Sequence, residues 1–212
     1  KGQVKHVVGL DRGLRQVWTS YDEKGKTQFV NGQAILRKRR KYKQLRKQLQ
    51  EKNTKSSKRR IRLIGQRENR WMNDVNHCLS KTLVEQYGSH TLFVLEDLEN
   101  VRFATEKVAK DKRYEQVSWS FYDFEKKLTY KAQAKDSQVI QVDSHYTSQR
   151  CPKCGVIEKS NRHHERHEYH CQNCGYRSND DRIGAMNVQL LGTQYISGVD
   201  KPKFEKVDTN FR

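Results

Sequence analysis

Short apolar runs separated by turn residues predict three strands near the start of the chain. The run Val4–Leu10 leads directly into Asp11-Arg12-Gly13, which is typical of a strand followed by a turn. Gln16–Tyr21 and Thr27–Asn31 have a similar strand-like composition, and the polar residues around Gly25 mark a hairpin between them. We therefore predict a first strand followed by a β-hairpin.

The apolar spacing becomes helical from about residue 33. Basic residues fill the positions between the apolar ones, which are Leu36, Tyr42, Leu45 and Leu49. Residues 53–57 interrupt the pattern, and a second helix is predicted from about 58 to 86. Its buried stripe is predicted to contain Ile64, Trp71, Val75, Cys78 and Thr82. Together the helices predict a hairpin at about residues 33–87, apolar on one side and basic on the other, with His77 and Cys78 as ordinary core residues.

The remaining elements predict a mixed α/β fold. Thr91–Leu98 is a nearly continuous apolar run, which is typical of a central strand covered on both faces. Residues 101–116 lack a period and predict a mobile loop. A helix at 119–133, a strand at 139–142 and a final helix at 182–191 follow, and then a polar tail. This order suits an RNase H-like sheet with helices on its faces.

The charge of the chain indicates a polyanionic partner. The 212 residues include 43 Lys and Arg against 25 Asp and Glu, which gives a net charge of +18. Of this charge, +14 lies between Arg37 and Arg70, which favours contact with nucleic acid over a basic surface that only maintains solubility. Phosphate contacts are predicted for Arg37, Lys38, Arg39, Arg40, Lys41, Arg59, Arg60 and Arg62.

The length and the hydropathy of the chain limit the number of domains and membrane spans that it can form. A hydrophobic fraction of 33% is low but sufficient for one core, in one domain with a small insert. The sequence contains no run of about 18 apolar residues, so no membrane span is predicted. The chain starts at Lys1, close to a strand-like run, which we interpret as a piece of a longer protein without a signal peptide.

Four of the five cysteines form two C-x-x-C-G motifs, which predict a structural zinc site. Each motif aims two thiolates at one point, and two motifs complete a closed tetrahedral site; the ligands are Cys151, Cys154, Cys171 and Cys174. Disulfides or redox dithiols fit this paired spacing less well. Four histidines between the motifs could replace a cysteine, but we expect them on a solvated hairpin: His163, His164, His167 and His170.

Three acids stand where metal-dependent phosphodiester cleavage would need them. Asp11 ends the first strand, Glu96 ends the central strand and Asp181 begins the last helix. Hard cations such as Mg²⁺ prefer carboxylate oxygens, and carboxylates at the ends of buried elements are costly without a cation. Taken singly, each acid also has an ordinary explanation as a turn, strand-end or helix-start charge.

Helical spacing selects between the two adjacent acids at the start of the last helix. Counting along the helix from Asp181 gives small and then apolar residues, namely Gly184, Ala185, Val188 and Leu191. Asp181 therefore shares the face that packs on the sheet. Asp180 is predicted to act nearer to a helix cap.

These motifs together resemble the C-terminal half of TnpB, the transposon-encoded relative of type V CRISPR effectors. The matching pieces appear in the family's order as G-L-Asp11-R-G-L, L-Glu96-D-L, Tyr130-K-A, Asp143-S-H-Y-T-S-Q-R-C-P-K-C-G, C-Q-N-C-G-Y and N-D-Asp181-R-I-G-A-M-N. They span residues from about 7 to 191. The family usually has Asn-Ala where this chain has Ile183-Gly184. The part that holds the guide duplex and recognises the flanking motif is expected to be missing.

The resemblance implies a RuvC nuclease domain at 1–150 and 175–195, a zinc-ribbon insert at 151–174 and a C-terminal tail at 196–212. It implies that Asp11, Glu96 and Asp181 bind catalytic Mg²⁺ or Mn²⁺ in a two-metal centre, beside the structural Zn²⁺. It also implies a guide RNA that selects the DNA target by base pairing. Such a protein would act in the prokaryotic cytoplasm, at the nucleoid.

Three alternative functions use the same features. The first is an RNA-guided DNA-binding repressor whose nuclease is inactive, which the loss of one or more motif acids would mark. The second is an RNase H-like DNA transposase, and the third is a zinc-ribbon nucleic-acid-binding module without a guide. The sequence favours the nuclease, because all three motif acids are present and the ribbon stands just before the last of them.

Overall fold

A mixed five-stranded sheet forms the centre of the molecule. The computed structural model describes residues 3–98 and 121–206. The strands of this sheet are β1 (His6–Arg12), β2 (Gln16–Tyr21), β3 (Thr27–Asn31), β4 (Thr91–Glu96) and β5 (Gln138–Val142). They lie in the order β3-β2-β1-β4-β5, with the first three antiparallel and with β4 and β5 parallel to β1. The predicted α/β class is confirmed, with β2 and β3 at the expected residues.

Four α-helices accompany the sheet in the described ranges: α1 (Gln33–Lys52), α2 (Lys55–Tyr87), α3 (Phe121–Gln133) and α4 (Asp180–Ile196). The predicted break in the helical hairpin is shorter than expected. Asn53 ends α1 in the left-handed conformation, and Thr54 caps α2 through a reciprocal capping box with Ser57. Two residues are thus enough to reverse the chain.

Each face of the sheet carries its own core. Along β4, Phe93 and Leu95 face α2 and α3, whereas Leu92 and Val94 face α4. Both pairs are completely or almost completely buried. Because successive side chains of a strand point to opposite faces, a strand covered on both sides must be apolar throughout. Burial on both faces therefore explains the continuous apolar run in the sequence of β4.

Glycines allow α4 to lie unusually close to the sheet. A Cβ atom built on Gly9 of β1 would lie 2.3 Å from both the Ala185 carbonyl oxygen and the Gln189 backbone nitrogen. A Cβ atom on Gly192 would lie 2.3 Å from a methyl group of Val94. Both distances are far below van der Waals contact, so the helix and the strand can approach only because these two side chains are absent.

The predicted buried stripe of α2 is confirmed at Ile64 but was wrong in phase beyond it. Cys78 and His77 are exposed, although both were predicted to be core residues. The buried face contains polar residues instead, namely Ser57, Glu68, Asn76 and Ser80, beside Ile64, Met72, Leu83 and Val84. These polar groups have partners: Glu68 pairs with Arg39 and Arg46 of α1, and the Asn76 amide donates to Asp123 of α3. Hydrophobic spacing alone therefore could not locate this face.

A second, three-stranded antiparallel sheet forms the cysteine-rich insert. Its strands are β6 (Arg162–His163), β7 (Glu168–His170) and β8 (Arg177–Asn179). The third strand follows Cys174, so this sheet extends five residues beyond the predicted end of the ribbon. It leads directly into α4.

The described part of the C-terminal tail is anchored rather than free. Pro202 is buried, and Phe204 packs into the core beneath α4, where its ring stacks on the Arg150 guanidinium at 4.7 Å. The predicted loop at 101–116 lies outside the described residues. Trp18 is buried in the core. Within the described ranges, no helix is both long and apolar enough to cross a membrane.

Candidate active site and zinc ribbon

The topology brings the three predicted acids together. Leu10 lies opposite Leu95 in the parallel pairing of β1 and β4, so Asp11 and Glu96 come next at the same edge of the sheet. The N-terminus of α4 covers this edge and brings Asp181. Gly184, one turn into the helix, lies so close that a Cβ atom on it would be 2.8 Å from Asp11 Oδ2. The predicted packing face of α4 is confirmed, since Gly184, Ala185 and the apolar residues after them are buried.

The electrostatics of these acids are those of a crowded, partly desolvated cluster. Burial raises the pKa of Asp11 well above its usual value, and the neighbouring charges of Glu96 and Asp181 raise it further. Burial also raises the pKa of Glu96 and, with the charge of Asp180, that of Asp181. Without a cation the ionised carboxylates destabilise one another, which is the condition that a bound divalent metal relieves.

Arg12 fixes the ends of the two strands that carry the acids. Its Nη2 group donates to the Glu96 carbonyl oxygen at 2.6 Å, and its Nη1 group donates to Glu125 of α3 at 3.1 Å. The side chain is almost completely buried, and burial lowers the pKa of its guanidinium. The strand ends are thereby tied to each other and to α3.

Thr147 connects the ribbon to the acids and was not singled out from the sequence. Its hydroxyl donates to Glu96 Oε1 at 2.6 Å, and the residue is 2% exposed. Asn187 of α4, completely buried, donates to the carbonyl oxygens of Thr147 and Arg150 at 2.7 and 2.8 Å. The residues that lead into the first C-x-x-C-G motif, or first knuckle, are thus bonded to β4 through Thr147 and to α4 through Asn187. Both residues lie in the quoted motifs, which is the signal that could have identified them.

Asp180 does not cap α4, contrary to the prediction. The cap is Asn179, whose side chain accepts from the Arg182 backbone nitrogen at 3.2 Å. The carboxylate of Asp180 is completely buried and pairs with Arg162 Nε of the ribbon at 3.2 Å. Two ring nitrogens of the β6–β7 turn face it as well, those of His164 and His167.

The four cysteines converge in the arrangement predicted for zinc. Their Sγ atoms all lie within 4.8 Å of one another, with the Cys151–Cys174 and Cys154–Cys171 pairs at 3.6 Å. Four sulfurs in a tetrahedron about 2.3 Å from a zinc ion would be about 3.8 Å apart, so the cluster fits Zn²⁺ closely. Burial raises the pKa of Cys151 to about 12, so thiolate formation at this position requires a metal.

The two knuckles repeat one backbone geometry. Gly155 and Gly175 have φ angles of 79° and 72°, in the left-handed region that favours glycine. In each knuckle the glycine nitrogen donates to the carbonyl of the first cysteine at 2.9 Å. The glycine of each C-x-x-C-G motif is therefore required by the turn itself.

The basic hairpin presents most of the residues predicted to contact phosphate. Seven are exposed on α1 and α2, namely Arg37, Lys38, Arg40, Lys41, Arg59, Arg60 and Arg62. Arg39 differs, because it is 3% exposed and pairs with the buried Glu68. Its guanidinium holds the two helices together and is not presented to solvent. Lys38 lies 4.3 Å above the ring of Trp71, which places an aromatic surface among the exposed charges.

Two family models match most of the chain. The one described as "Probable transposase" matches residues 1–102, and the one described as "Cas12f1-like, TNB domain" matches residues 121–188. The first contains β1 to β4 with Asp11 and Glu96, and the second contains the four cysteines and Asp181. The division between them falls within the undescribed segment.

Individual relatives and a solved structure agree with these matches. A CRISPR-associated endodeoxyribonuclease Cas12f1 from Syntrophomonas palmitatica is 27% identical over 96% of this chain and 43% of its own length. A TnpB-like protein from Methanocaldococcus jannaschii is 26% identical over 87% of this chain and 68% of its own. A CRISPR-Cas12f ternary complex, solved by cryo-EM, superposes with a TM-score of 0.72 at 16% identity, covering 97% of this chain and 40% of that one. The chain spans less than half of the Cas12f1 proteins it matches.

Proposed function

Because the chain belongs to the TnpB family, we propose that it is the metal-dependent nuclease portion of an RNA-guided DNA endonuclease. The observation that carries this proposal is that Asp11, Glu96 and Asp181, from three elements far apart in the chain, come near enough at one edge of the sheet for their charges to interact. Its substrate would be a DNA strand selected by a guide RNA. This activity belongs in the prokaryotic cytoplasm, where the DNA lies.

The chemistry follows from what these residues offer. Asp11, Glu96 and Asp181 present oxygen donors of the kind that Mg²⁺ and Mn²⁺ prefer, held by Arg12 and Thr147. Divalent cations bound there would supply an activated water and neutralise charge on the leaving oxygen. The protein's own contribution is to fix the carboxylates and to limit the access of water, while the bound cations would favour their ionised forms.

The nucleic acid would be held by two basic surfaces. The exposed face of α1 and α2 offers phosphate contacts, whose affinity falls with salt and does not depend on sequence. On the ribbon, a cleft of about 570 Å³ is lined by polar residues that include Arg166, His170 and Arg177, and it extends to Asn179 at the start of α4. This cleft would seat the strand that enters the site.

Cleavage of labelled single-stranded DNA with Mg²⁺ or Mn²⁺ tests the proposal. The protein, in complex with its guide RNA, would be compared with Asp11→Ala and Glu96→Ala. Asp74→Ala is the matched control, because Asp74 is an exposed acid of α2. Metal-dependent cutting that both site variants abolish and the control retains is the expected result.

Two other outcomes would change the assignment. Salt-sensitive binding of DNA without any cutting would contradict the nuclease and favour the RNA-guided repressor. Cutting that persists in both site variants would show that the catalytic centre lies elsewhere in the protein.

The basic hairpin is tested separately by replacing Arg37, Lys38, Arg40 and Lys41 with glutamine. Each lost contact should reduce the slope of log affinity against log salt by about 0.7 for a single strand.

A further inference from the structure

The turn between β6 and β7 holds one histidine in a fixed position beside the acids. His167 has a φ angle of 55°, in the left-handed region. Its carbonyl oxygen accepts from the Asn179 side chain at 3.1 Å and from the Asp180 backbone nitrogen at 3.3 Å. Both donors belong to the junction between β8 and α4. The His167 backbone is thus bonded to the start of the helix that carries Asp181.

The imidazole of His167 faces carboxylates without bonding to them. Its Nδ1 atom is shielded from solvent and has no hydrogen-bond partner among the described residues. The nearest carboxylate oxygen, Asp180 Oδ1, is 3.6 Å away, beyond ordinary hydrogen-bond length. One ligand atom from each of His167, Asp180 and Asp181 lies within 4.8 Å of the others. The shielded Nδ1 atom therefore lies beside the Asp180 carboxylate at non-bonding distance, and a ring nitrogen of His167 lies within 4.8 Å of both acids.

The spacing is that of ligands around one cation. Two atoms bound about 2.1 Å from the same ion are about 3.0 Å apart when adjacent and about 4.2 Å apart when opposite. The separation of 3.6 Å between His167 Nδ1 and Asp180 Oδ1 lies between these limits. Asp180 Oδ1 also accepts from the Asp181 backbone nitrogen at 3.0 Å, which leaves its second lone pair available.

The local charge favours a cation. Four carboxylates influence one another here, those of Asp11, Glu96, Asp180 and Asp181. The nearby guanidinium groups are those of Arg12, Arg15 and Arg162, and Arg162 bonds to the other oxygen of Asp180, Oδ2. Four carboxylates against three guanidinium groups leave an excess of negative charge in this cluster.

We propose that His167 is a ligand of the cation bound at Asp181, so that the zinc-ribbon hairpin supplies one nitrogen donor to an otherwise oxygen-donor centre. This inference rests on the proposed nuclease function, whose metal centre it completes. Imidazole suits transition metals, whereas Mg²⁺ prefers oxygen. His167 therefore biases this position toward Mn²⁺ or Co²⁺ over Mg²⁺, and it makes the ribbon part of the metal centre.

Electron spin-echo measurements on the Mn²⁺-loaded protein test this directly, because a coordinated imidazole nitrogen modulates the echo. The zinc-saturated protein would be compared with His167→Ala and with His163→Ala. His163 is an exposed imidazole of the same hairpin and is the matched control. Nitrogen modulation is expected in the unaltered protein and in the control, and its loss is expected in His167→Ala. Equal zinc content in all three would show that the ribbon is intact.

The affinity for Mn²⁺, from calorimetric titration, gives a second readout. Removing the outer partner of a metal ligand costs about 10- to 100-fold in affinity, so loss of a ligand should cost at least about 10-fold. The ratio of Mn²⁺ to Mg²⁺ affinity should fall with it. Absence of Mn²⁺ binding, absence of nitrogen modulation in the unaltered protein, or its persistence in His167→Ala would overturn the proposal. Failure of the proposed nuclease site is recognised separately, because cutting would then survive the Asp11→Ala substitution.

Discussion

Replacing Thr147 with valine removes one hydroxyl and almost no volume from the edge of the candidate active site. The lost bond is the 2.6 Å donation to Glu96 Oε1, from a residue that is 2% exposed. A hydrogen bond to a charged group contributes about 1.5–3 kcal/mol, which corresponds to about 10- to 150-fold in an equilibrium constant. The 10- to 100-fold effects typical of outer-shell partners of metal ligands agree with this range. We expect Mn²⁺ affinity to fall by about that factor.

Because of the same hydrogen bond, the loss of Mn²⁺ affinity in Thr147→Val should depend on pH. The Thr147 hydroxyl lowers the pKa of Glu96, opposing the increase that burial causes. Its loss therefore raises this pKa further, so that protons compete with the metal up to a higher pH. The acidic limb of the pH–rate profile for cleavage should shift upward, and the affinity defect should be largest at low pH. Thr147→Ser, which keeps the hydroxyl, should restore both.

Calorimetric titration of Mn²⁺ at several pH values is the assay. Thr193→Val is the matched control, because Thr193 is an exposed threonine of α4 whose hydroxyl donates to the Gln189 carbonyl oxygen of the same helix. Mn²⁺ affinity in Thr147→Val equal to that of the control at every pH would refute the reasoning. It would mean that Glu96 is oriented without help from the Thr147 hydroxyl.

Three further variants test the surroundings of the site. Asn187→Asp removes the donors to two buried carbonyl groups and should lower the free energy of unfolding by roughly 2–4 kcal/mol in urea titrations; an unchanged midpoint would contradict the role of these bonds. Cys171→Ser removes a buried zinc ligand and should release zinc, measured by elemental analysis, and weaken Mn²⁺ binding through Thr147; zinc loss with unaltered Mn²⁺ affinity would show that the two centres are independent. Burial raises the pKa of Asp11, so above about pH 4 the folded metal-free protein binds more protons than the unfolded chain and loses stability as the pH rises. Thermal melts from pH 5 to 8 without added Mg²⁺ or Mn²⁺ should show this loss, Asp11→Asn should reduce it, and equal slopes for the two proteins would refute the assignment.

Much of the fold could be predicted because its signals are local. The hairpin strands were predicted at their observed ends, since turn residues bound the apolar runs. The central strand was recognisable because both of its faces are covered. The four cysteine ligands were recognisable because each C-x-x-C-G motif is contiguous and its glycine directly follows the second cysteine.

The remainder depended on pairing between distant residues. The buried face of α2 was placed wrongly because Glu68 and Asn76 are buried only by virtue of their partners on α1 and α3. The position of His167 beside Asp180 likewise depends on how the ribbon folds back onto α4. No spacing rule along one segment contains that information.

The close contact between β1 and α4 also sets the order in which the three acids can come together. Asp11 and Glu96 precede Asp181 in the sequence, and a ribosome delivers them in that order. A nascent chain that has not yet reached residue 180 carries two of the three acids, while the sheet face that α4 covers stays open to water. Synthesis of α4 is therefore the step that both covers this face and adds the third acid.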